Sequence, residues 1–485
     1  MKSKILYLAL ALVAVQTTSC EKEERLNPVP TNSISDLSAF DSQLRIEGQV
    51  RAFYATVKNS GMYGGRYQIF NDIRGGDFQN DRTNVVTGFD IWNYTPSNSS
   101  ANSVQAFWSR AYYAINLVNV FLEGMDAKGT AVVGDAVSKN YQAEGRFVRA
   151  LCYYGLLQFY ARPFYDGNGS KPGVPLRLTS NKGSGNYDLA RATVAEIYTQ
   201  ILDDLNFAET NLPLNYSSST LNTTRAHRNT AIALKTRVYL SMQRYGDAVT
   251  EGNKIVTTTA PFRAATGVNH ALNPAFGTAF SNYVTNESVF SMPFTANEAP
   301  GTQNQLGYYY GASGMNGGNG EYSLLPTGII ANAGWKATDA RRTFVVVSAG
   351  KSYLNKYPGG APFADWAPVI RYAEVLLNLA EARVRSTNTV DAQAIALLNA
   401  VRQRSDNTTT FAAGDFATPA ALADAILIER RIELMGEGFA GSDLTRLGQP
   451  LPAKPGVNAV LPSSQQYIWP ISSTELLLNK LCVDN

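Results

Sequence analysis

Long stretches of this chain repeat apolar residues at a spacing of three and four without an internal proline, notably 104–122, 139–160, 192–209, 229–257, 369–385, 391–404 and 420–436. That spacing lines one face of an α-helix, whereas a half-buried strand needs strict alternation, and such alternation is scarce here. The chain is therefore confined to mainly α architectures. Several helix ends are readable: Thr193 with Glu196 three residues later has the form of a capping box, and Asp391 opens the segment that runs to Arg404. Between the helical blocks lie two stretches rich in Gly, Asn, Ser and aromatics, about 59–103 and 259–367. Loops of that length usually carry function, and a helical scaffold places function on such loops.

The helices come in pairs. Ala231, Leu234, Val238, Tyr239, Leu240, Tyr245 and Ala248 are similar to the small-and-aromatic spacing of tetratricopeptide helix pairs, in which small residues let neighbours approach closely. Ala373 to Leu377 with Ala394, Leu397, Leu398 and Val401 follow the same logic. The expected fold is a tetratricopeptide-like helical repeat scaffold carrying a long, irregular, loop-rich subdomain.

The first residues form an export signal: Lys2 and Lys4, eleven apolar residues from Ile5 to Val15, then Gln16 to Ser19 before Cys20. The apolar run is shorter than the about 20 residues of a spanning helix, and no later segment reaches that length. The site before Cys20 resembles a lipobox with Thr17 in place of the usual leucine. A signal at 1–19, a lipidated tether at 20–32 and a domain over 33–485 are expected, and acyl chains on Cys20 would anchor the chain to a membrane. Glu21-Lys22-Glu23-Glu24 resembles the surface-export signal of Bacteroidetes lipoproteins. The formal charge is +3, or +1 without Lys2 and Lys4, and acidic and basic residues are interspersed, so no basic face recruits nucleic acid. Cys152 and Cys482 remain; Cys152 lies in an apolar helical stretch and reads as a small buried hydrophobe.

Catalytic constellations are missing from the sequence. Two histidines, His227 and His270, give little material for zinc sites or triads. Gly350-Lys351-Ser352 resembles the end of a phosphate loop, but Val345 stands where the motif needs glycine. No cofactor and no metal are expected. The loop carboxylates Asp72, Asp77, Asp81, Asp90, Glu321 and Asp339 leave open a pair suited to glycoside hydrolysis.

The chain holds 26 Tyr, 21 Phe and 5 Trp, more rings than a helical core asks for. Phe107, Trp108, Tyr112, Tyr113, Tyr153, Tyr154 and Phe159 recur at helical spacing and read as core. The loop rings Trp92, Tyr94, Tyr308, Tyr309, Tyr310, Tyr322 and Trp335 do not, and sugar rings stack well on such flat faces. Asn80, Asp81, Asn316 and Asn319 lie nearby in sequence and suit directional hydrogen bonds to hydroxyls. These eleven residues are the expected ligand contacts.

Across nearly the whole mature chain the residues resemble the SusD/RagB lipoproteins. The resemblance is carried by Phe107-Trp108 through Asn116, Ala143-Glu144 through Tyr154, Ile197-Tyr198 with Asp204, Ile370 to Leu377 with Glu381, Leu398 to Arg404, and Trp469-Pro470-Ile471 with Glu475. The block Glu429 to Leu444 departs from it at Phe439-Ala440-Gly441-Ser442, where family members carry an arginine and aromatics; its charges are read as ion pairs between helices. The resemblance implies an outer-membrane, outward-facing lipid-anchored lid that binds oligosaccharides without catalysis and passes them to a SusC-like TonB-dependent transporter. A RagB-like peptide binder and a surface hydrolase are the alternatives.

Overall fold

A computed structural model describes residues 38–301, 306–315 and 317–485, so the signal, Cys20, the tether and Asn316 lie outside the described residues. Helices dominate: α1 (Gln43–Val57), α2 (Arg66–Ile73), α3 (Val104–Gly124), α4 (Asp135–Tyr160), α5 (Val194–Asn211), α6 (Arg228–Ser241), α7 (Tyr245–Ile255), α8 (Tyr372–Thr387), α9 (Ala392–Ser405), α10 (Pro419–Glu433), α11 (Ala440–Arg446) and α12 (Ser473–Leu478). The mainly α, tetratricopeptide-like architecture read from the sequence is the one observed. α4 packs on α3 and α5, α6 on α7, α7 on α8, and α8 on α9 and α10. Small residues allow these approaches: a Cβ on Gly252 of α7 would stand 3.0 Å from Leu379 of α8.

The caps match expectation. Thr193 and Glu196 close a capping box on α5, and Asp391 accepts from the Ala394 amide at 2.7 Å. Two boundaries differ. The stretch 229–257 is two helices separated by a turn in which Gln243 has φ 55°, and 369–385 begins with strand rather than helix. Residues Ala367–Arg371 form β8, which pairs antiparallel with β4 (Ser288–Met292) and so spends its first backbone groups on a sheet.

Strands are short and form two-stranded sheets among the described residues: β1 (Phe78–Asn80) with β5 (Tyr322–Leu324), β2 (Pro172–Pro175) with β3 (Arg191–Thr193), β4 with β8, and β6 (Val345–Ser348) with β7 (Lys351–Leu354). The C-terminal segment returns to the first helices, where Trp469 stacks on Phe159 at 4.1 Å and donates its amide to the Phe159 carbonyl. Cys152 and Cys482 are buried, free thiols.

The block that departs from the family pattern is closely packed. Asp72 of α2 accepts from the amides of Gly438, Phe439 and Ala440 at 3.0–3.2 Å, and a Cβ on Gly441 would lie 2.5 Å from the Asn71 carbonyl oxygen. Phe439 lies beneath the guanidiniums of Arg237 and Arg430. Beside it, Glu433 of α10 meets Arg341, Arg371 and Arg404. Arg371 and Arg404 also hold Glu287, Glu437 joins Arg371 to Lys356, and Glu429 joins Arg341 to Arg402. With Asp339 on Arg341, five cations face five carboxylates, every side chain at most 4% exposed. Because the charges balance, each ion keeps a partner that offsets the cost of leaving water.

The two histidines, 43 positions apart, stack on each other in the interior with Nε2 atoms 3.4 Å apart. The Asn286 carbonyl can only accept, so Nδ1 of His270 donates to it at 2.9 Å, and Nε2 of His270 then accepts from His227. Burial holds both rings neutral: His270 is pulled down to about 4 and His227 well below its ordinary value. Since both values are lower folded than unfolded, the unfolded chain takes up protons first. Stability is complete above about pH 6.5 and drains away as pH falls toward 4, by roughly 3 kcal/mol from His270 alone. Neither imidazole should titrate above about pH 5 when followed by proton NMR; a midpoint near 6.5 for either ring would contradict the burial argument.

Candidate functional site

Pairing of β1 with β5 joins the two loop stretches, with Asn80 opposite Tyr322. The pairing brings together sequence candidates from both. The Asn80 side-chain oxygen accepts from the Arg82 and Thr83 amides, and so shapes the turn after β1. Lys351 donates to Asp81 at 2.6 Å, and Asn319 donates to Glu321 at 2.6 Å while its carbonyl accepts from Arg82. The exposed Arg82 and half-buried Asn319 thus form a polar rim beside Asp81, whose side chain is only 5% exposed and held by Lys351.

Most of the candidate rings are not on that surface. Trp92, Tyr94, Tyr309, Tyr310, Tyr322 and Trp335 are between 0 and 4% exposed, which corrects the expectation that they present stacking faces. Trp92 donates to the Phe78 carbonyl and Tyr94 to the carbonyls of Arg74 and Pro452. Between them sits the ammonium of Lys454, 3.9 Å from the Tyr94 ring and 5.1 Å from that of Trp92, donating to the carbonyls of Ile73 and Trp92. Burial, with the nearby Arg74 charge, pulls this amine well below its ordinary value. Tyr309 and Tyr322 stack on each other, Tyr310 packs against Phe78 and Tyr357, and Arg342 covers Trp335 at 4.1 Å. Trp92 closes the helical turn Phe89–Trp92, Tyr309 and Tyr310 end the turn Leu306–Tyr310 and Tyr322 stands in β5, and elements this short bury their largest side chains to make a core.

Tyr308 is the exception. It is half-buried and meets Phe363 edge-on at 6.2 Å. Phe363 begins a short segment, 363–366, whose Trp366 stacks on Tyr283 at 5.3 Å and 11°, while Asp365 accepts from the Tyr283 hydroxyl. All four rings are partly open to solvent. Asn319 adjoins this surface, its amide donating to the Tyr308 carbonyl. Sequence reasoning missed Tyr283, Phe363 and Trp366. The available signal was the run Gly359-Gly360-Ala361-Pro362 just before Phe363, where the chain turns away from any sheet or helix.

The loop carboxylates are engaged within the protein. Asp77 pairs with Arg431 and accepts from the Ile329 amide, Asp90 accepts from Ser100 and Ser103, Glu321 from Thr87 and Asn319, and Asp339 from Arg341. Burial pushes the Asp72 carboxyl up to about 7 against its three amide donors. No cluster of three or more metal-ligating side chains occurs among the described residues.

A family model described as starch-binding associating with outer membrane matches residues 33–240, and the SusD family model matches residues 351–485. A SusD superfamily protein from Bacteroides fragilis is 33% identical, with a TM-score of 0.81 over 91% of this chain and 99% of that one. The chain belongs to the SusD/RagB family. A laminarin-binding SusD-like protein shares the SusD fold with a TM-score of 0.71 and 22% identity, over 92% of this chain and 99% of its own. SusD-like protein P25 of Formosa agariphila is 24% identical over 286 residues, 57% of this chain, so the match spans about half (49%) of that relative. As a SusD-family chain it has, among the described residues, no helix long and apolar enough to cross a membrane.

Proposed function

We infer that this chain is a cell-surface lipoprotein that captures glycans and passes them to a SusC-like TonB-dependent transporter, anchored in the outer membrane through Cys20 and facing outward. The observation that carries the reading is the partly open ring surface of Tyr308, Phe363, Trp366 and Tyr283, bordered by Asn319 and Arg82, on the loop side of a SusD fold. Rings fixed edge to face and in stacks meet the apolar faces of sugars without further ordering, and the rim supplies donors and acceptors for hydroxyls. The laminarin-binding relative and the starch-binding description of the matched family model support a glycan as the ligand. The binding step itself breaks no bond.

Removing Tyr308 and Trp366 together by alanine substitution is expected to weaken glycan binding at least tenfold, about 1.4 kcal/mol, while a cooperative melt is kept. The check is affinity electrophoresis of the chain from Glu21 onward against laminarin, starch and xylan, with the carbohydrate analysed afterwards. Wild-type affinity in the double variant would remove this surface from consideration, and shortened carbohydrate would favour a hydrolase.

A peptide ligand, as in RagB, has one observation in its favour. At the far end of β1 and β5 lies a groove of about 680 Å3 walled by Leu427, Ile428, Leu444 and Leu447 and flanked by Arg385, Arg431 and Asp424. It has no aromatic wall and suits alternating apolar and charged side chains better than sugar rings. A peptide panel run beside the glycans distinguishes the two.

A further inference from the structure

The middle of α3, the loop 177–187 and α12 enclose a cleft of about 470 Å3, with no residue in common with the ring surface. The volume lies within the roughly 300–1,000 Å3 of small-ligand sites. Two half-buried tyrosines wall it. Tyr112 is fixed by its hydroxyl, which donates to the Pro175 carbonyl at 2.7 Å, and by Trp108, 4.9 Å from its ring. Tyr187 is fixed by a hydroxyl donated to the Gly183 carbonyl and by its own carbonyl, which accepts from Arg177.

Across the cleft Arg177 pairs with Glu475 at 3.0 Å, so the charges in the lining cancel and the site holds no net attraction for an anion or a cation. Asn116 fixes the Asn181 backbone in both directions, accepting from its amide at 2.7 Å and donating to its carbonyl at 3.1 Å. The side-chain amide of Asn181 and the hydroxyl of Ser184 line the same cleft and have no partner among the described residues. Immobilised rings, a free planar amide, a free hydroxyl and cancelled charge together define the chemistry of a neutral polyhydroxylated ligand: ring faces take its C–H surfaces, and the amide takes a pair of adjacent hydroxyls.

We propose that this cleft is a second saccharide-binding site, taking a short neutral segment of a polysaccharide whose other parts are held at the ring surface of the same or a neighbouring molecule. The inference rests on the saccharide reading above. Two sites on one chain raise affinity for a polymer through effective concentration and leave affinity for a short oligomer at the first site unchanged.

The test uses the chain from Glu21 onward, the polysaccharide among laminarin, starch and xylan that retains it, and the hexasaccharide of that polymer. Asn181→Ala combined with Tyr187→Ala removes the free amide and one wall; Ser184→Trp fills the cleft and leaves the protein's own hydrogen bonds in place. Both are expected to weaken retention by the polymer about tenfold and to leave the hexasaccharide affinity unchanged. In the Tyr308→Ala, Trp366→Ala background, Ser184→Trp should abolish the residual polymer binding. Wild-type polymer retention in both cleft variants overturns the second site and leaves the ring surface standing. A wild-type chain retained by none of the three polymers overturns the saccharide reading itself, and this site with it.

Discussion

Glu433→Ala is expected to destabilise the fold by about 3–5 kcal/mol, the cost of leaving a buried charge without its partner. Glu433 lies where Arg341, Arg371 and Arg404 converge. Its removal leaves the five cations around it facing four carboxylates with no water to screen the difference. In a chain this long, unfolding entropy is roughly 1 kcal/mol per degree, so the melting temperature should fall by about 3–5 °C. Although burial opposes ionisation, the three arginines hold the Glu433 carboxyl well below the usual carboxylate range. A lowered folded value means that its contribution is fully present above the ordinary carboxylate pKa of about 4.3 and is lost only as pH falls below it. Melts of wild type and Glu433→Gln should therefore differ most near neutral pH and converge in strong acid. A constant difference from pH 7 to pH 2 would show that the carboxylate's charge contributes nothing.

Trp92→Ala should cost about 3–5 kcal/mol as well, for a different reason. The substitution empties a core position, removes the hydrogen bond to Phe78 and opens one side of the Lys454 cage. If Trp92 is structural, the variant melts earlier while its folded fraction binds glycan with wild-type affinity. Unchanged melting with lost binding would instead return Trp92 to the ligand surface. Calorimetry paired with affinity electrophoresis gives both readings from one preparation.

Why the helices were legible and the site was not follows from the range over which each is decided. Apolar spacing and caps such as Thr193 and Asp391 are local, so the helices of the scaffold emerge with small boundary shifts. The exceptions show the same rule: β8 replaces the start of a helix because β4, some 80 positions earlier, pairs with it. Loop rings carry no such local mark. Trp92 closes the helical turn Phe89–Trp92 and Trp366 stands outside any helix or strand, but what separates their fates is Lys454, which lies 362 positions beyond Trp92 and turns that ring into one wall of a buried cage. Tyr308 and Tyr309 are adjacent, yet one faces outward and the other stacks on Tyr322. Composition marks which stretches are rich in rings; only the fold says which of those rings remain available.

The balanced cluster of charges beneath α10 also bears on how such a chain can diversify. Glu287, Asp339, Arg341 and Lys356 come from the loop subdomain; Asp339 pairs with Arg341 inside it, while Glu287, Arg341 and Lys356 meet counterions from the helical scaffold. Deleting or exchanging the subdomain wholesale would strand ions on both sides, so a foreign subdomain grafts only if it brings the same four charges. Segments that contribute nothing to the cluster, around Tyr283, Tyr308 and 363–366, can change without that penalty. New ligand preferences should accordingly arise by substitution at those tips, over a subdomain root that stays electrically constant.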